Sequence, residues 1–179
     1  MERFEHTRAT LAYEMAGTGP PVLFLHNGGT SSTIGRHQVA TLANEHTTVA
    51  VDLPGFGASP RPRPALDLDE MVEAVAALLD HLGLADVLVV GNCMGSNIAT
   101  RLDATRPYLV RGLVLVNPLT EATFSAGWLG PLHRLKGVAP VNRVVHAIGG
   151  RVRSPRWAAV AGLRFQLGDL GVARRVHHD

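Results

Sequence analysis

The sequence contains few cysteine, lysine and aromatic residues. Cysteine occurs once, at position 93, so no disulfide can form within the chain, and this suits a reducing, cytoplasmic compartment. Aromatic residues make up 5% of the 179 residues, and no arginine–aromatic surface motif or known DNA-binding pattern is present. No stretch reaches the roughly 18 apolar residues of a membrane span, and the start lacks the pattern of a secretory signal. The sequence therefore predicts a cytoplasmic protein with no nucleic-acid or membrane partner.

Basic charge is unevenly distributed along the chain. Residues 1–119 hold 8 arginines against 12 acidic residues, whereas residues 120–179 hold 8 arginines, Lys136 and 3 acidic residues. The net charge is thus −4 in the first part and +6 in the second. A basic segment suits an anionic partner or substrate, but solvated arginine-rich helix faces would explain the same counts.

Short apolar runs alternate with amphipathic segments over the first two thirds of the chain. Such alternation predicts an α/β fold, with a mostly parallel sheet and flanking helices joined by right-handed crossovers. Asp67 followed by Glu70 is an acidic capping box, and Gly83 ends the helix that it begins. The predicted strands are residues 10–15 (an edge strand), 22–25, 47–51, 87–90 and 112–116, and the predicted helices are 33–44, 68–82 and 95–106.

The pattern changes after Pro118. No further apolar run bounded by turns follows, and the sequence predicts short helices over 127–136, 141–148, 155–167 and 169–178. We therefore expect a core over residues 1–120 and a helical, cap-like segment over residues 121–179.

The most informative stretch is Gly91-Asn92-Cys93-Met94-Gly95, which joins an apolar strand to a helix. A Gly-x-nucleophile-x-Gly pattern marks a strained turn that lifts the central side chain above the sheet, and the glycines avoid steric clashes. The backbone N–H of Met94 is then left unpaired at a helix N-terminus, where it can stabilise developing negative charge. The alternative is that Cys93 is a small apolar filler without reactivity.

Three motifs in this order resemble the α/β-hydrolase family: His26-Asn27-Gly28-Gly29, the loop from Asp52 to Ser59, and the turn around Cys93. The resemblance covers roughly residues 8–120. It implies that Cys93 is the nucleophile and that the backbone N–H groups of Met94 and Gly28 form the oxyanion hole. Asn27 stands where the family usually has glycine, and it is a second candidate donor. The resemblance also implies that the loop after Asp52 stabilises the fold.

The resemblance further implies a catalytic acid and a histidine base that follow later strands, and neither has an evident counterpart in the sequence. Glu121 is a weak candidate for the acid, and Asn117 could orient an imidazole. His177 and His178 are weak candidates for the base. His26 is expected to brace the oxyanion loop, while His133 and His146 are most simply surface or cap residues. The motifs imply no cofactor, and no metal-binding cluster is visible in the sequence.

These observations lead to three hypotheses. In the first, the chain is part of a split enzyme that cleaves or transfers an acyl group from an ester, thioester or lactone. The basic segment would suit the phosphate of a carrier- or CoA-bound acyl substrate. A second polypeptide, or a swapped copy within a homo-oligomer, would supply the acid and the histidine. In the second, the chain is a catalytically incomplete hydrolase-like protein used for binding or scaffolding. In the third, it is a self-sufficient cysteine enzyme that uses the weak candidates near the C-terminus.

Overall fold

The structure is a computed structural model that describes residues 1–120, of which Met1–Leu119 form one compact unit. Three strands open this unit, and helices and strands alternate after them, with short 3₁₀ turns at Ser32–Gly35 and Pro107–Leu109. The predicted cap-like segment, residues 121–179, lies outside the described residues. The strands are β1 (Glu2–His6), β2 (Ala9–Ala16), β3 (Pro21–Leu25), β4 (Thr47–Asp52), β5 (Val87–Asn92) and β6 (Val110–Val116), and the helices are α1 (Arg36–Leu42), α2 (Leu68–His81) and α3 (Met94–Thr105).

The strands form one sheet in the order β1-β2-β4-β3-β5-β6. Strand β3 pairs in parallel with both β4 and β5, and β5 pairs in parallel with β6. Strands β1 and β2 are antiparallel to each other, and β2 is antiparallel to β4. The predicted class, an α/β fold with a mostly parallel sheet and flanking helices, is confirmed.

The predicted strand over residues 10–15 is present as β2, but its predicted position at the edge of the sheet is wrong. Strand β2 lies inside the sheet, between β4 and an additional strand, β1, that forms the edge. Strand β1 has a single large apolar side chain, Phe4, so its sequence lacks a clear alternation of apolar and polar residues. Its conformation depends on tertiary contacts: Phe4 pairs with Leu11 in the ladder, and its ring stacks on His81 at 4.8 Å between centroids.

The predicted helix over residues 33–44 is also shorter than expected. Its first part is the 3₁₀ turn, and Gly35 then precedes α1 at the N-cap position. Beyond Leu42 the helix gives way to a turn, in which the N–H of Asn44 donates to Thr41 O at 3.5 Å. The N–H of His46 donates to Leu42 O at 2.9 Å, and β4 begins at the next residue.

Helix α2 begins where the capping box predicts. The Asp67 carboxylate accepts the Glu70 N–H at 2.8 Å, and the Glu70 carboxylate accepts the Asp67 N–H at 2.9 Å. The inner face of the helix packs into the core through buried side chains that include Val72, Val75 and Leu79. The capping-box prediction is therefore confirmed.

The topology brings three sequence motifs to one edge of the sheet. Strands β3, β4 and β5 are parallel, so His26, Asp52 and Cys93 lie at or just after their carboxyl ends. Ligands of open α/β sheets bind at this edge. None of the helices in the described residues has the length and apolar character needed to cross a membrane.

Candidate active site

Cys93 occupies a strained turn between β5 and α3. Its backbone has φ +52° and ψ −104°, a conformation that costs a non-glycine residue about 1–3 kcal/mol. The flanking glycines are required by close packing. A Cβ at Gly91 would lie 2.5 Å from Gly95 O, and a Cβ at Gly95 would lie 2.2 Å from Leu25 O. The predicted elbow geometry is therefore present, and it leaves Cys93 half-buried.

The turn is tied to the neighbouring strand β6. The N–H of Cys93 donates to Val116 O at 2.9 Å, while Cys93 O accepts the N–H of Ser96 at 3.1 Å. Asn117 follows Val116 directly and has φ +49°, so the chain turns away just after this contact. The structure thus places Asn117 next to the carbonyl group that holds the elbow.

The candidate oxyanion donors lie on two adjoining segments. A Cβ placed on Gly28 would lie 3.8 Å from the sulfur of Met94, so these residues are neighbours. Within the described residues, no acceptor is bonded to the backbone N–H of either one. Gly28 and Met94 therefore remain the candidate donors of an oxyanion hole.

Asn27 is buried, with 4% of its surface exposed, and its side chain bonds within its own loop. The Thr30 hydroxyl lies 2.7 Å from Asn27 Oδ1 and 2.9 Å from the Asn27 carbonyl oxygen. Asn27 Nδ2 donates a long bond of 3.4 Å to Gly28 O. These contacts hold the loop that carries Gly28. Asn27 stays the second candidate donor of the oxyanion hole.

His26 is held as a neutral imidazole. Its Nε2 accepts the N–H of Leu53 at 2.9 Å, so this nitrogen carries no proton, and its Nδ1 donates to Asn27 O at 2.8 Å. Burial lowers the pKa of His26, although the Asn27 carbonyl and the Asp52 charge oppose the shift. Both ring nitrogens are occupied, so His26 braces the loop before Gly28 and is poorly placed to take a proton from Cys93.

The buried imidazole predicts a loss of stability in acid. The pKa of His26 is lowered from its ordinary value of 6.5, so the unfolded chain takes up this proton before the folded chain does. The His26 contribution to the free energy of unfolding is complete above that value and is lost as the pH falls below it. One such group gives a slope of at most about 1.4 kcal/mol per pH unit.

Urea unfolding of the wild type and of His26→Gln, at a series of pH values, measures this effect. The glutamine stays neutral, and the other histidines are common to both proteins, so the difference between the two slopes isolates His26. We expect a shallower decline below pH ~6.5 in the variant. An equal decline of the free energy of unfolding in both proteins would contradict the assignment of this effect to His26.

The loop from Asp52 to Ser59 wraps around a buried carboxylate. Asp52 is 1% exposed, and its two oxygens accept the N–H groups of Ser32 and Ala58, each at 2.7 Å. A Cβ at Gly57 would lie 2.1 Å from Asp52 Oδ2, so only glycine fits there. The Ser59 hydroxyl donates to Asp52 O at 2.6 Å. These contacts give the loop a structural basis for its fold-stabilising role, which stays a prediction.

Several other predicted residues cannot be placed. Glu121, His177 and His178 lie outside the described residues, as do His133 and His146. Within the part of the chain that the structure describes, no group of three or more potential metal ligands is found.

Sequence analysis missed the buried hydroxyl of Ser96. A polar residue at the third position after the nucleophile, on the inner face of α3, was the available signal. The Ser96 hydroxyl lies 2.7 Å from Gly91 O and 3.0 Å from Val116 O. It therefore joins the end of β5 to the end of β6 beneath the elbow.

A cavity of about 210 Å³ lies behind the turn. Its lining includes the half-buried side chains of Phe24, Val90 and Asn92 and the exposed side chain of Gln38, but not Cys93, Gly28 or Met94. His26 and Val116 also line the cavity, so it lies beside the elbow although Cys93 is not part of its lining.

A mostly parallel sheet with a strained strand-to-helix elbow, beside a loop with unpaired backbone N–H groups, defines a fold of the α/β-hydrolase type. Comparison with known families supports this class. The model of the family described as the alpha/beta hydrolase fold matches residues 20–147. The chain belongs to the α/β hydrolase fold family.

The similar proteins include haloalkane dehalogenases and an esterase. Haloalkane dehalogenase 2 of Mycobacterium bovis is 36% identical over 115 residues, which cover 64% of this chain and 40% of the relative. The crystal structure of an ancestral haloalkane dehalogenase is 34% identical with a TM-score of 0.60, over 64% of this chain and 41% of that one. A thermophilic esterase from Thermogutta terrifontis is 30% identical with a TM-score of 0.61, over 64% and 45%. The chain thus spans less than half the length of these relatives.

Proposed function

We propose that this chain supplies the nucleophile and the oxyanion hole of a cysteine-dependent acyl hydrolase or acyltransferase acting on an ester, thioester or lactone. The observation that carries the proposal is the strained turn at Cys93, which presents a thiol beside the unpaired N–H groups of Gly28 and Met94. Strain at a single non-glycine residue persists where the surrounding structure enforces it, and such residues cluster at active sites.

The reaction follows from the chemistry of a thiol. A base removes the thiol proton, Sγ of Cys93 attacks the acyl carbon, and the carbonyl electron pair moves onto oxygen, where the N–H groups of Gly28 and Met94 stabilise the charge. The carbonyl re-forms and expels the alcohol or thiol, which takes a proton from the protonated base. Water or another acceptor, deprotonated by the same base, then attacks the acyl thioester and releases the Cys93 thiol.

The thiol favours an acyl substrate over a haloalkane, even though dehalogenases are among the relatives. If Cys93 displaced a halide from an alkyl carbon, the product would be a thioether. Water does not hydrolyse a thioether under physiological conditions, so each enzyme molecule would react once. An acyl thioester is readily hydrolysed and permits turnover.

Neither His26 nor Asp52 is free to serve as the base or the acid, and we propose that both groups come from outside the described residues. His26 has both nitrogens occupied, and Asp52 has both carboxylate oxygens occupied. Strand β6 has a single neighbour, β5, among the described strands, and Val114 and Val116 are 44% and 42% exposed. An apolar strand edge of this kind pairs readily with a further strand. We propose that a complementing polypeptide pairs here and carries the acid and the histidine.

Native mass spectrometry tests both parts of the proposal. The chain is isolated at its native expression level and weighed before and after addition of an activated acetyl thioester. We expect a second polypeptide in constant ratio, and a gain of one acetyl group on the peptide that contains Cys93. A soluble monomer would contradict the split arrangement, and a complex that gains no acetyl group would contradict the acyl-transfer function.

The second candidate is a hydrolase-like binding or scaffold protein. The full occupation of the His26 nitrogens favours it, because the histidine that directly follows β3 is then unable to act as a base. This candidate also predicts a partner, but no acetyl transfer to Cys93. The same mass measurement therefore separates the two functions.

A further inference from the structure

Ser96 has a buried hydroxyl that contacts two strands. The residue is 1% exposed, and its Oγ lies 2.7 Å from Gly91 O and 3.0 Å from Val116 O. The same Val116 carbonyl accepts the N–H of Cys93 at 2.9 Å. Cys93 and Ser96 are therefore held by one acceptor at the end of β6, while Ser96 also holds the carbonyl two residues before the nucleophile.

We propose that Ser96 is a positioning residue for Cys93, a role that rests on the proposed acyl-transfer function. The Cys93 backbone sits at φ +52°, and a strained conformation persists only while its surroundings hold it. The Ser96 hydroxyl binds the strand end on one side of the turn and the carbonyl that anchors Cys93 on the other. Without the Ser96 hydroxyl the turn relaxes, and the Cys93 sulfur moves away from the N–H groups of Gly28 and Met94.

Two reactions of Cys93 report on this position in different ways. Iodoacetamide alkylates the sulfur, forming an S–C bond while iodide leaves and the thiol proton passes to solvent, and no oxyanion arises. Acetylation by an activated thioester passes through an oxyanion that the backbone donors must meet. Both rates depend equally on the fraction of thiolate, so their ratio measures how the sulfur is placed against the donors. Cys93 is the single cysteine of the chain, so both reagents label one site.

Thr48 provides a matched control at the opposite end of the sheet. It is also buried, with 0% exposed, and its hydroxyl donates to a backbone carbonyl of a neighbouring strand, Ala16 O, at 3.1 Å. Thr48 lies near the start of β4, whereas the elbow lies beyond the carboxyl end of β5. Thr48→Val thus removes a comparable hydrogen bond without touching the elbow.

The experiment measures both rates for the wild-type protein, Ser96→Ala, Ser96→Thr and Thr48→Val, each shown to be folded by circular dichroism. We expect the ratio of acetylation to alkylation to fall about tenfold or more in Ser96→Ala, since small misplacements of a nucleophile are costly. The ratio should stay at the wild-type value in Thr48→Val and in Ser96→Thr, which keeps the hydroxyl. Local unfolding would instead speed alkylation in both hydroxyl-deletion variants.

Failure of the proposed function and failure of the role of Ser96 give different results. A wild-type ratio no higher than that of N-acetylcysteine would overturn the proposed function, and the role of Ser96 with it. A high wild-type ratio that is unchanged in Ser96→Ala would overturn the role of Ser96 alone. A ratio that falls equally in Ser96→Ala and Thr48→Val would also overturn it, because the effect would then be one of general stability.

Discussion

Alanine at position 93 should reduce acyl transfer to the rate seen without protein. The wild-type thiol forms the covalent intermediate, and loss of an essential nucleophile lowers kcat/KM by about 1000-fold or more. Turnover of an activated acetyl thioester by the complex isolated from its source measures the effect. Serine at this position keeps the turn and the donors, but its hydroxyl is a far weaker nucleophile than a thiolate, so Cys93→Ser should also lose most of the activity.

The stability of the same variants separates a chemical loss from a structural one. Cys93 is half-buried, and alanine retains its strained backbone, so Cys93→Ala should unfold close to the wild-type urea midpoint. Cys93→Gly should be more stable than Cys93→Ala by about 1 kcal/mol, since glycine adopts a positive φ without strain. Turnover by Cys93→Ala at the wild-type rate would show that another group performs the reaction.

Much of the sheet was predictable because its signals are local. The runs at 22–25 and 87–90 are continuously apolar, as expected of strands covered on both faces, and the run at 47–51 is rich in β-branched residues; each coincides with a strand. The elbow was equally predictable, since the glycines at 91 and 95 answer a steric demand that the structure shows directly. The start of α2 followed from Asp67 and Glu70 alone.

The features that the sequence analysis missed or predicted wrongly depend on contacts between distant parts of the chain. Strand β1 exists because it pairs with β2 and because Phe4 meets His81, about 77 residues later, and no local pattern encodes either contact. The bonds of Ser96 to Val116, and of Asp52 to Ser32, likewise join residues 20 positions apart. A sequence motif identified the residue types at the site, but their partners appear only once the strands are assembled.

Replacement of Asp52 by alanine should strongly destabilise the fold. The carboxylate accepts the N–H groups of Ser32 and Ala58 while only 1% exposed, so its loss leaves two donors without their charged acceptor. Hydrogen bonds to charged groups contribute about 1.5–3 kcal/mol each, which predicts a loss of about 4 kcal/mol in the free energy of unfolding. Urea unfolding monitored by circular dichroism measures this loss.

Two variants serve as comparisons for Asp52→Ala. Asp52→Asn keeps one acceptor oxygen and should lose about half as much stability, because one N–H group retains a neutral partner. Asp80→Ala removes an exposed carboxylate from α2 and should change the free energy of unfolding by less than about 0.5 kcal/mol. Equal losses in Asp52→Ala and Asp80→Ala would contradict a structural role for the buried carboxylate.

Asp52→Ala should also disturb the position of Gly28 in the candidate oxyanion hole. Leu53 follows Asp52 directly, and its N–H holds His26 Nε2, while His26 Nδ1 holds the carbonyl of Asn27 just before Gly28. A loosened loop therefore weakens the brace behind Gly28, and the ratio of acetylation to alkylation at Cys93 should fall in Asp52→Ala under conditions where the variant is still folded. An unchanged ratio would show that the loop supports the sheet without setting the position of Gly28, and Met94 would then be the donor that governs the rate.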